Sequence, residues 1–315
     1  MNKVIIILGP TGVGKTGVSL LLAKKLGTDI ISADSMQIYR HMDIGTAKPT
    51  PDERAMVKHH MIDIVGPRES YSTGKYIDAV VPIIEGLHRK GKIPIVVGGT
   101  GLYIKAMTRG IFSGPSADWS LRESLLDREK AENGSLYMYL GELDPEAAGK
   151  ITPNDTRRII RALEVSLKSA SNISDMQKRF TQPLPYEFIK IGLSRDRKEL
   201  YSLIEKRVDE MIANGLEEEV KNVLHLIEAS SVSPLPSMQA IGYKEIAMYL
   251  RSEIPRDEAV RLIKRGSKRY AKRQFTWFRK EEGISWVDIT GISDNSLILD
   301  RVCDIIETGY NMQIS

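Results

Sequence analysis

The sequence predicts an α/β protein, with a parallel sheet core wound with helices, a helical insertion and a helical C-terminal region. The first half of the chain alternates short apolar runs, typical of strands, with longer helical patterns. That order is expected when parallel strands are connected by helices packed on both faces of a sheet. The first apolar run, residues 4–8, leads directly into the glycine-rich stretch GPTGVGKT at residues 9–16. A strand followed by such a loop and a helix predicts a P-loop core.

The strands and helices are predicted from apolar periodicity and from capping residues. The predicted strands cover residues 3–8, 28–32, 60–64, 93–97, 188–193 and 284–289. Helices of the first half are predicted over residues 14–26, 52–57, 72–89 and 100–109. The third of these begins after Ser72, a residue type that favours the N-cap position. A long helix at 197–213, further helices to about residue 280 and a final helix complete the pattern.

The pattern changes around residues 113–115, which read Ser-Gly-Pro. From Trp119 to about Phe180, short helical segments are separated by Gly, Pro and Asn, which interrupt helices. We therefore expect residues 116–185 to form a helical insertion domain. Residues 1–115 and 186–315 are expected to form the P-loop core with its C-terminal helices.

Composition limits the class of protein. A chain of 315 residues, 42% of them hydrophobic, is long enough to bury a large core. The single cysteine, Cys303, excludes an internal disulfide, and only three residues precede the first apolar run, too few for a secretory signal peptide. No apolar run approaches the roughly 20 residues that a transmembrane helix requires. We expect a cytoplasmic protein without membrane association.

The stretch GPTGVGKT matches the pattern G-x-x-x-x-G-K-[ST] through Gly9, Gly14, Lys15 and Thr16. Backbone N–H groups and the helix N-terminus attract anionic oxygens, Lys15 neutralises charge, and the Thr16 hydroxyl can bind Mg²⁺. The pattern predicts a site for a diphosphate or triphosphate and does not require a nucleoside. The alternative is a glycine-rich turn that matches by chance.

The carboxylate that kinases and ATPases place after a later core strand to hold the metal is missing from the expected position. The run at 93–97 leads into Gly98-Gly99-Thr100 instead, although Asp63, in the strand predicted at 60–64, could substitute. Asp34 and Ser35 follow the second strand, at the carboxyl edge where open α/β sheets bind ligands. Asp34 is therefore a candidate base; the alternative is a turn or cap residue.

Nine Lys or Arg and no acidic residue lie between Arg261 and Lys280, although the net charge of the whole chain is only +4. Helical periodicity over 255–280 puts Tyr270 and Trp277 on a packing half and the cations on the other half. The cations of that half are Arg261, Lys264, Arg265, Lys268, Arg269, Lys272 and Arg273. The pattern predicts contact with a polyanion; a solvated basic face is the alternative.

Eight stretches together resemble the tRNA dimethylallyltransferase family, in that family's usual order and over nearly the whole chain. They are GPTGVGKT, ADSMQIYRHMDIGTAKP, HHMIDI, VVGGTGLY, NDTRRIIRALEV, RVDEMIANGLEEEV, SMQAIGYKE and AKRQFTWFRK. The resemblance implies transfer of a dimethylallyl group from dimethylallyl diphosphate to N6 of the adenine at position 37 of tRNAs, next to the anticodon. The P-loop would then hold the diphosphate with Mg²⁺, which agrees with the missing carboxylate after residue 97.

The resemblance also implies a set of site residues. Asp34 would act on the adenine amino group, and Gln37 would help to recognise the base. We expect catalytic roles for Asp34, Thr100 and Arg207. The diphosphate is expected to contact Gly9, Thr11, Gly12, Gly14, Lys15 and Thr16, with Thr16 also on the metal. RNA or base contacts are expected from Ser35, Gln37, Gly98, Lys268, Lys272, Arg273 and Gln274.

The expected partner is the anticodon stem-loop of tRNA, with the target adenine flipped out of its stack. The insertion domain would clamp the stem-loop, and we expect a monomer. In that domain Arg157, Arg158 and Arg161 could contact phosphates, or pair with nearby acids.

Three other activities compete with tRNA prenylation: prenylation of free adenine nucleotides, a P-loop small-molecule kinase, and RNA binding without catalysis. The basic half of the helix at 255–280 argues against the first. A prenyl-chain synthase is disfavoured because the sequence has no Asp-Asp pair to begin that class's metal motif.

Overall fold

The computed structural model describes residues 2–112, 114–169, 171–227, 235–310 and residue 313. The chain forms two compact units. Residues 1–104 and 185–315 make up what we call the core unit, and residues 105–184 make up the insertion unit. The sequence prediction set the bounds of the insertion at 116 and 185.

In the core unit, the residues that the structure describes form one sheet of six parallel strands. The strands are β1 (Lys3–Leu8), β2 (Ile30–Ala33), β3 (His59–His60), β4 (Ile95–Gly98), β5 (Glu187–Ser194) and β6 (Ile284–Asp288). Their order across the sheet is β3-β2-β4-β1-β5-β6, so β1 is central. Residues 4–8 are buried without alternation, as expected for a strand covered by helices on both faces. The predicted fold class is confirmed.

Fourteen α-helices are assigned in the described part of the chain, besides a short 3-10 helix at Ser237–Gln239. Before the insertion come α1 (Lys15–Lys25), α2 (Pro51–Met56), α3 (Thr73–Arg89) and α4 (Gly101–Thr108). Within it lie α5 (Trp119–Ala131), α6 (Ser135–Leu143), α7 (Pro145–Lys150), α8 (Thr156–Lys168) and α9 (Ile173–Phe180). The chain then forms α10 (Arg197–Ala213), α11 (Leu216–Ile227), α12 (Tyr243–Leu250), α13 (Arg256–Phe278) and α14 (Asn295–Tyr310). Among the described residues, no helix combines the length and apolar character needed to cross a bilayer.

Apolar packing among the described residues of the core unit includes two clusters. The first packs the central strands against α1, α10 and α14, with Ile5, Ile191 and Val302 among its members. The second joins α10, α11, α12 and α13 to the segment after β2, through residues that include Met42 and Tyr243. The segment that follows β2 is therefore fixed by helices that come more than 150 residues later in the chain.

The strand predicted at 60–64 is wrong in extent, because β3 ends at His60. Met61 and Asp63 have φ angles of 63° and 57°, in the left-handed region, which ends extended pairing. The carboxylate of Asp63 instead pairs with Lys48 and Arg54. Asp63 thus forms ion pairs with two cations of the core unit. It does not lie at the end of a strand, where a metal-binding carboxylate would be expected.

The insertion unit is a small helical bundle with its own apolar cluster. Its centre is formed by side chains from α5, α6 and α8, including Leu125, Leu140 and Leu163. The unit begins before the predicted residue 116, because Leu184 N donates to Met107 O at 3.0 Å and joins the two ends of the segment.

A buried carboxylate ties the helices of the insertion unit together. Glu164 of α8 has no exposed surface and accepts hydrogen bonds from the Arg122 guanidinium, from Asp118 N and from Arg161. Burial alone would raise the pKa of Glu164, but these hydrogen bonds outweigh it and lower the pKa to about 2. Of the three arginines considered for RNA contact, Arg161 pairs with Glu164 and Arg158 pairs with Asp155.

We predict that Glu164→Gln destabilises the insertion unit by roughly 3 kcal/mol at pH 7, because two guanidinium groups lose a buried partner. The folded-state pKa lies below the ordinary value of 4.5, so the carboxylate stabilises the fold above pH 4.5 and loses that effect as pH falls toward 2. Denaturant unfolding at several pH values measures both effects. Glu123→Gln, at an exposed position of α5, is the matched control. Equal stability of the two variants at pH 7 would contradict the assignment.

Candidate active site at the carboxyl edge of the sheet

Three loops leave the sheet at the same level and form the candidate site. Leu8 of β1 pairs with Gly98 of β4, and Gly98 pairs with Ala33 of β2. The P-loop follows Leu8, Asp34 follows Ala33, and Gly99 and Thr100 follow Gly98. A Cβ at Gly98 would lie 2.2 Å from Ala33 O, so only glycine permits this approach of the two strands. The structure thus brings together the sequence-predicted residues of all three loops.

The P-loop carries the chain from β1 into α1. Gly14, the N-cap of α1, has a φ of 110°, a conformation that glycine adopts without strain. The ammonium of Lys15 donates to Gly9 O and Pro10 O, both at 2.9 Å, and so closes the loop on itself. Gly12, Gly14, Lys15 and Thr16 all line one cavity, and this arrangement suits an anion at the helix N-terminus.

Lys15 and Arg207 compete for the charge of one carboxylate. Burial lowers the pKa of Lys15 to about 8; the Asp34 carboxylate raises it and the Arg207 guanidinium lowers it further. Burial also lowers the pKa of Arg207, and Asp34 again opposes the shift. An anion bound between the two cations would relieve both effects, because it adds the negative charge that the site lacks.

Arg207 is part of the site and not a surface residue of a mixed-charge helix. It projects from α10, and its Nη1 donates to Thr11 Oγ1 of the P-loop at 3.2 Å. Lys15 and Arg207 therefore approach the same cavity from two different helices. Two cations at one anion site are the arrangement that stabilises a diphosphate.

Two cavities meet at this point. The one lined by the P-loop, with a volume of about 370 Å³, is called the phosphate-side cavity. The second, of about 270 Å³, is called the apolar cavity because α10 and α13 line it with residues such as Ile204, Val208 and Ile263. The residues that line both are Thr11, Asp34, Thr46 and Arg207. The Asp34 carboxylate thus lies where the phosphate-side cavity meets the apolar cavity.

Asp34 is held by its own loop. Its Oδ1 accepts from Met36 N at 2.8 Å, which orients the carboxylate and leaves Oδ2 for other partners. The neighbouring Ser35 N donates to Thr100 Oγ1 at 3.0 Å, and Thr100 N donates to Ala33 O at 3.1 Å. Thr100 therefore connects the loop after β4 to the loop that carries Asp34.

The side-chain amides of Gln274 and Gln37 are engaged with the protein itself. Gln274, which is 7% exposed, accepts from Thr11 N and donates to Gly99 O, each at 2.8 Å. These two hydrogen bonds fix the P-loop relative to the loop after β4. The sequence analysis expected Gln274 to contact RNA, whereas its side chain contacts these two loops. Gln37 accepts from Ser32 Oγ and donates to Ala47 O, and it lines the phosphate-side cavity with Gly98.

The basic half of α13 divides into two parts. Lys264 and Lys268 pair with Asp209 and Glu205 of α10, so these two cations meet protein carboxylates. Further along, an open surface cavity of about 440 Å³ is lined by Arg269, Lys272, Arg273, Thr276, Trp277 and Lys280. That lining, as far as the described residues define it, holds four cations and no carboxylate. We call it the basic patch.

Sequence periodicity missed Tyr270 and Thr46. Helical periodicity assigns Tyr270 to the packing half of α13, whereas in the structure Tyr270 lines the apolar cavity together with Asp34. Burial raises its pKa, and the Asp34 carboxylate raises it further. Thr46 lies in the stretch ADSMQIYRHMDIGTAKP, and the resemblance of that stretch to the family was the sequence signal for it.

The residues around the P-loop fit a magnesium ion that enters with a diphosphate. In the described part of the chain no group of three or more His, Cys, Asp or Glu side chains could hold a metal alone. Mg²⁺ does not need such a group, since it keeps several waters and binds substrate phosphates. The Thr16 side chain lines the phosphate-side cavity and offers one oxygen ligand.

A family model described as IPP transferase matches residues 37–281. A tRNA dimethylallyltransferase of Thermodesulfovibrio yellowstonii is 59% identical over 303 residues, 96% of each chain. The Thermotoga maritima protein of the same name is 47% identical and aligns with 91% of this chain and 93% of its own.

Solved structures agree with the sequence relatives. A tRNA isopentenylpyrophosphate transferase of Bacillus halodurans superposes with a TM-score of 0.71 at 40% identity, covering 98% of this chain and 97% of that one. A eukaryotic dimethylallyltransferase, described as acting on tRNA, superposes with a TM-score of 0.81 at 29% identity and covers all of this chain and 81% of its own. As its motifs predicted, the chain belongs to the IPP transferase family.

Proposed function

We propose that the protein transfers the dimethylallyl group of dimethylallyl diphosphate to N6 of the adenine at position 37 of tRNAs, with release of diphosphate. The observation that carries this proposal is the position of Asp34 at the junction of a cationic and an apolar cavity. The phosphate-side cavity suits a leaving diphosphate, and the apolar cavity suits an apolar allylic group and a base. The names of the sequence and structural relatives support the same reaction.

The donor's diphosphate would bind in the phosphate-side cavity. The P-loop amides, Lys15 and Arg207 would contact its oxygens, and Thr11 would orient Arg207 through their hydrogen bond. Mg²⁺, held by Thr16 and the diphosphate, would neutralise part of the charge on the leaving group. As the bond from C1 to the diphosphate oxygen breaks, negative charge grows on the diphosphate, and the two cations stabilise that charge most in the transition state.

The acceptor nitrogen needs help from a base. The N6 lone pair of adenine is delocalised into the ring, so positioning and removal of a proton both matter. N6 forms the new bond to C1, its proton passes to the Asp34 carboxylate, and the electron pair of the broken C1–O bond leaves with diphosphate. Thr100 would hold the Asp34 loop in place during this step, through its bond to Ser35 N.

The tRNA would bind through its phosphates and its flipped adenine. The basic patch on α13 offers four cations to the RNA backbone, beside a cavity that contains Asp34 and Arg273. We infer that the insertion unit clamps the anticodon stem-loop, and that the protein works as a monomer in the cytoplasm, where its tRNA substrate is found. Free adenine nucleotides would make no use of the basic patch, so the patch favours tRNA as acceptor.

The function is tested with radiolabelled dimethylallyl diphosphate, Mg²⁺ and unmodified tRNA, followed by nucleoside analysis. Labelled isopentenyladenosine from tRNA, and much less product from AMP, is expected. Labelling of AMP in preference to tRNA would favour the nucleotide prenylase. Release of ADP from ATP without prenyl transfer would favour a kinase.

We predict that Asp34→Asn lowers the rate of prenyl transfer by about 100-fold or more, because the amide cannot accept the N6 proton. The tRNA dissociation constant should change by less than about threefold, since the backbone of the loop is preserved and phosphate contacts dominate affinity. Single-turnover rates and filter binding measure the two quantities. Asp52→Asn, at an exposed position of α2, is the control. A near-normal rate in Asp34→Asn would exclude the residue as the base.

We predict that binding of the donor takes up a proton above pH 8. Lys15 loses its proton there in the free protein, and the bound diphosphate requires the charged ammonium. Affinity should therefore fall by up to about tenfold per pH unit above pH 8 and stay level below it. Calorimetry with a non-reactive thiolo analogue of the donor, in buffers of different ionisation enthalpy, counts the protons. Lys24→Met, at an exposed position of α1, should behave as the wild type, and proton-neutral binding at pH 9 would refute the linkage.

We predict that Lys272→Ala weakens tRNA binding and reduces the slope of log K against log salt concentration by about 1, the loss of one phosphate contact. The rate of the chemical step at saturating tRNA should not change. Lys221→Ala removes another exposed lysine, from α11, and serves as the control. An unchanged slope in Lys272→Ala would place the RNA elsewhere.

A further inference from the structure

One carboxylate outside the described site holds a loop that borders it. Glu219 of α11 accepts hydrogen bonds from Asp43 N and Ile44 N at 2.8 Å each and from Gly45 N at 3.0 Å. The Tyr243 hydroxyl of α12 donates to the same carboxylate at 2.5 Å. Four donors, three of them consecutive backbone amides, therefore converge on one side chain. Consecutive N–H groups in a turn form a concave site that prefers an anion.

The turn held by Glu219 leads directly into the junction of the two cavities. Gly45 lines the apolar cavity, and Thr46, the next residue, lines both cavities beside Asp34. The turn also packs tightly against α12, because a Cβ at Gly45 would lie 2.4 Å from the Tyr243 ring. A displacement of the turn would therefore move the wall against which both substrates bind.

The loop needs such an anchor because its backbone is strained. His41 and Ala47 have φ angles of 67° and 48°, a left-handed conformation that non-glycine residues adopt only at an energetic cost. No helix or strand is assigned between β2 and α2 in this described segment. Residues 37–40 make backbone hydrogen bonds to residues 63–65, whereas the amides of residues 43–45 donate to the Glu219 side chain. The part of the loop next to the cavities is therefore the part that a side chain from elsewhere holds.

We propose that Glu219 is a positioning residue for the prenyl transfer reaction, which acts through the backbone of residues 43–45 to hold Thr46 at the junction of the two cavities. This role rests on the proposed function of the site. The negative charge is essential to it, since a glutamine would turn one N–H group toward donors that need acceptors. Tyr243 has a supporting role: its hydroxyl orients the Glu219 carboxylate, and its ring supports Gly45.

The neighbouring acids of α11 differ from Glu219 in their contacts. Glu217 pairs with Arg256, whereas Glu218 is exposed and lies 3.8 Å from the Lys221 ammonium. Glu218→Gln therefore makes the same chemical change one residue away, without touching the loop, and is the matched control.

The test compares Glu219→Gln with Glu218→Gln in single-turnover prenyl transfer, tRNA binding and thermal unfolding. Glu219→Gln should lower the rate of transfer by about tenfold to a hundredfold, as expected when the groups around a reacting centre are misplaced. Its tRNA dissociation constant should stay within about threefold of that of Glu218→Gln, since the basic patch is not involved. Equal rates in the two variants would overturn the proposal.

Two further variants cover the case in which Glu219→Gln fails to fold. Tyr243→Phe removes one donor but keeps the ring, and a loss of about twofold to tenfold in rate with unchanged tRNA affinity is expected. Glu219→Ala leaves a gap of the size of acetate, and added acetate should restore activity, whereas chloride at equal ionic strength should not. Absence of rescue together with a wild-type rate in Tyr243→Phe would refute the role. If the wild-type protein itself transfers no prenyl group, it is the proposed function that fails.

Discussion

The parallel pairing of β2, β4 and β1 is the constraint on which the site depends. Leu8, Gly98 and Ala33 lie in one row of the sheet, so the three loops that follow them begin at the same level. Because β4 enters between two strands that precede it in the chain, residues far apart in sequence become neighbours at this edge. A slip of one residue in the pairing would turn every side chain to the opposite face. The close approach at Gly98, which admits no side chain, favours a single register.

The charges of the candidate site suit the binding of an anion. Lys15 and Arg207 both have lowered pKa values, mainly through burial; the Asp34 carboxylate opposes both shifts, and Glu210 also opposes that of Arg207. In the free site, the positive charge of the two buried cations therefore exceeds what the nearby carboxylates compensate. In the proposed reaction, binding of a diphosphate would relieve this excess, and further negative charge on the leaving group would relieve it more. The positive charge that costs stability in the free protein would then favour the transition state over the ground state.

The sequence predicted the parts of the site whose chemistry is local. The role proposed for residues 9–16 needs only consecutive backbone groups and one lysine, so a short pattern specifies them. Asp34 could be predicted because open α/β sheets bind ligands at the carboxyl ends of their strands. Arg207 depended on the family resemblance, because nothing in a mixed-charge helix marks one arginine as a ligand. The role of Gln274 was missed because its partner Thr11 lies 263 residues away.

Periodicity also has a clear limit in α13 and β3. It assigned a basic half to α13, but it could not show that Lys264 and Lys268 would meet carboxylates of α10 while Lys272 faces an open patch. In the same way, apolar alternation extended the third strand to residue 64, whereas the left-handed backbone of Met61 ends it. Both differences arise from tertiary contacts and backbone strain, which a one-dimensional pattern does not contain.

The wall between the two cavities is irregular for a physical reason. A helix or strand would use its backbone groups in its own hydrogen bonds, whereas a loop can turn carbonyls and a hydroxyl toward a substrate. Such a loop must be fixed from outside, and of the five non-glycine residues with positive φ in the described chain, four lie between residues 41 and 63. The buried Lys48 ammonium holds this region from within, through Tyr39 O and the carboxylates of Asp43 and Asp63, while Glu219 holds the amides on the other side. The loop that borders both cavities is thus held by a lysine that lines the phosphate-side cavity and by a glutamate of α11 that lines neither cavity.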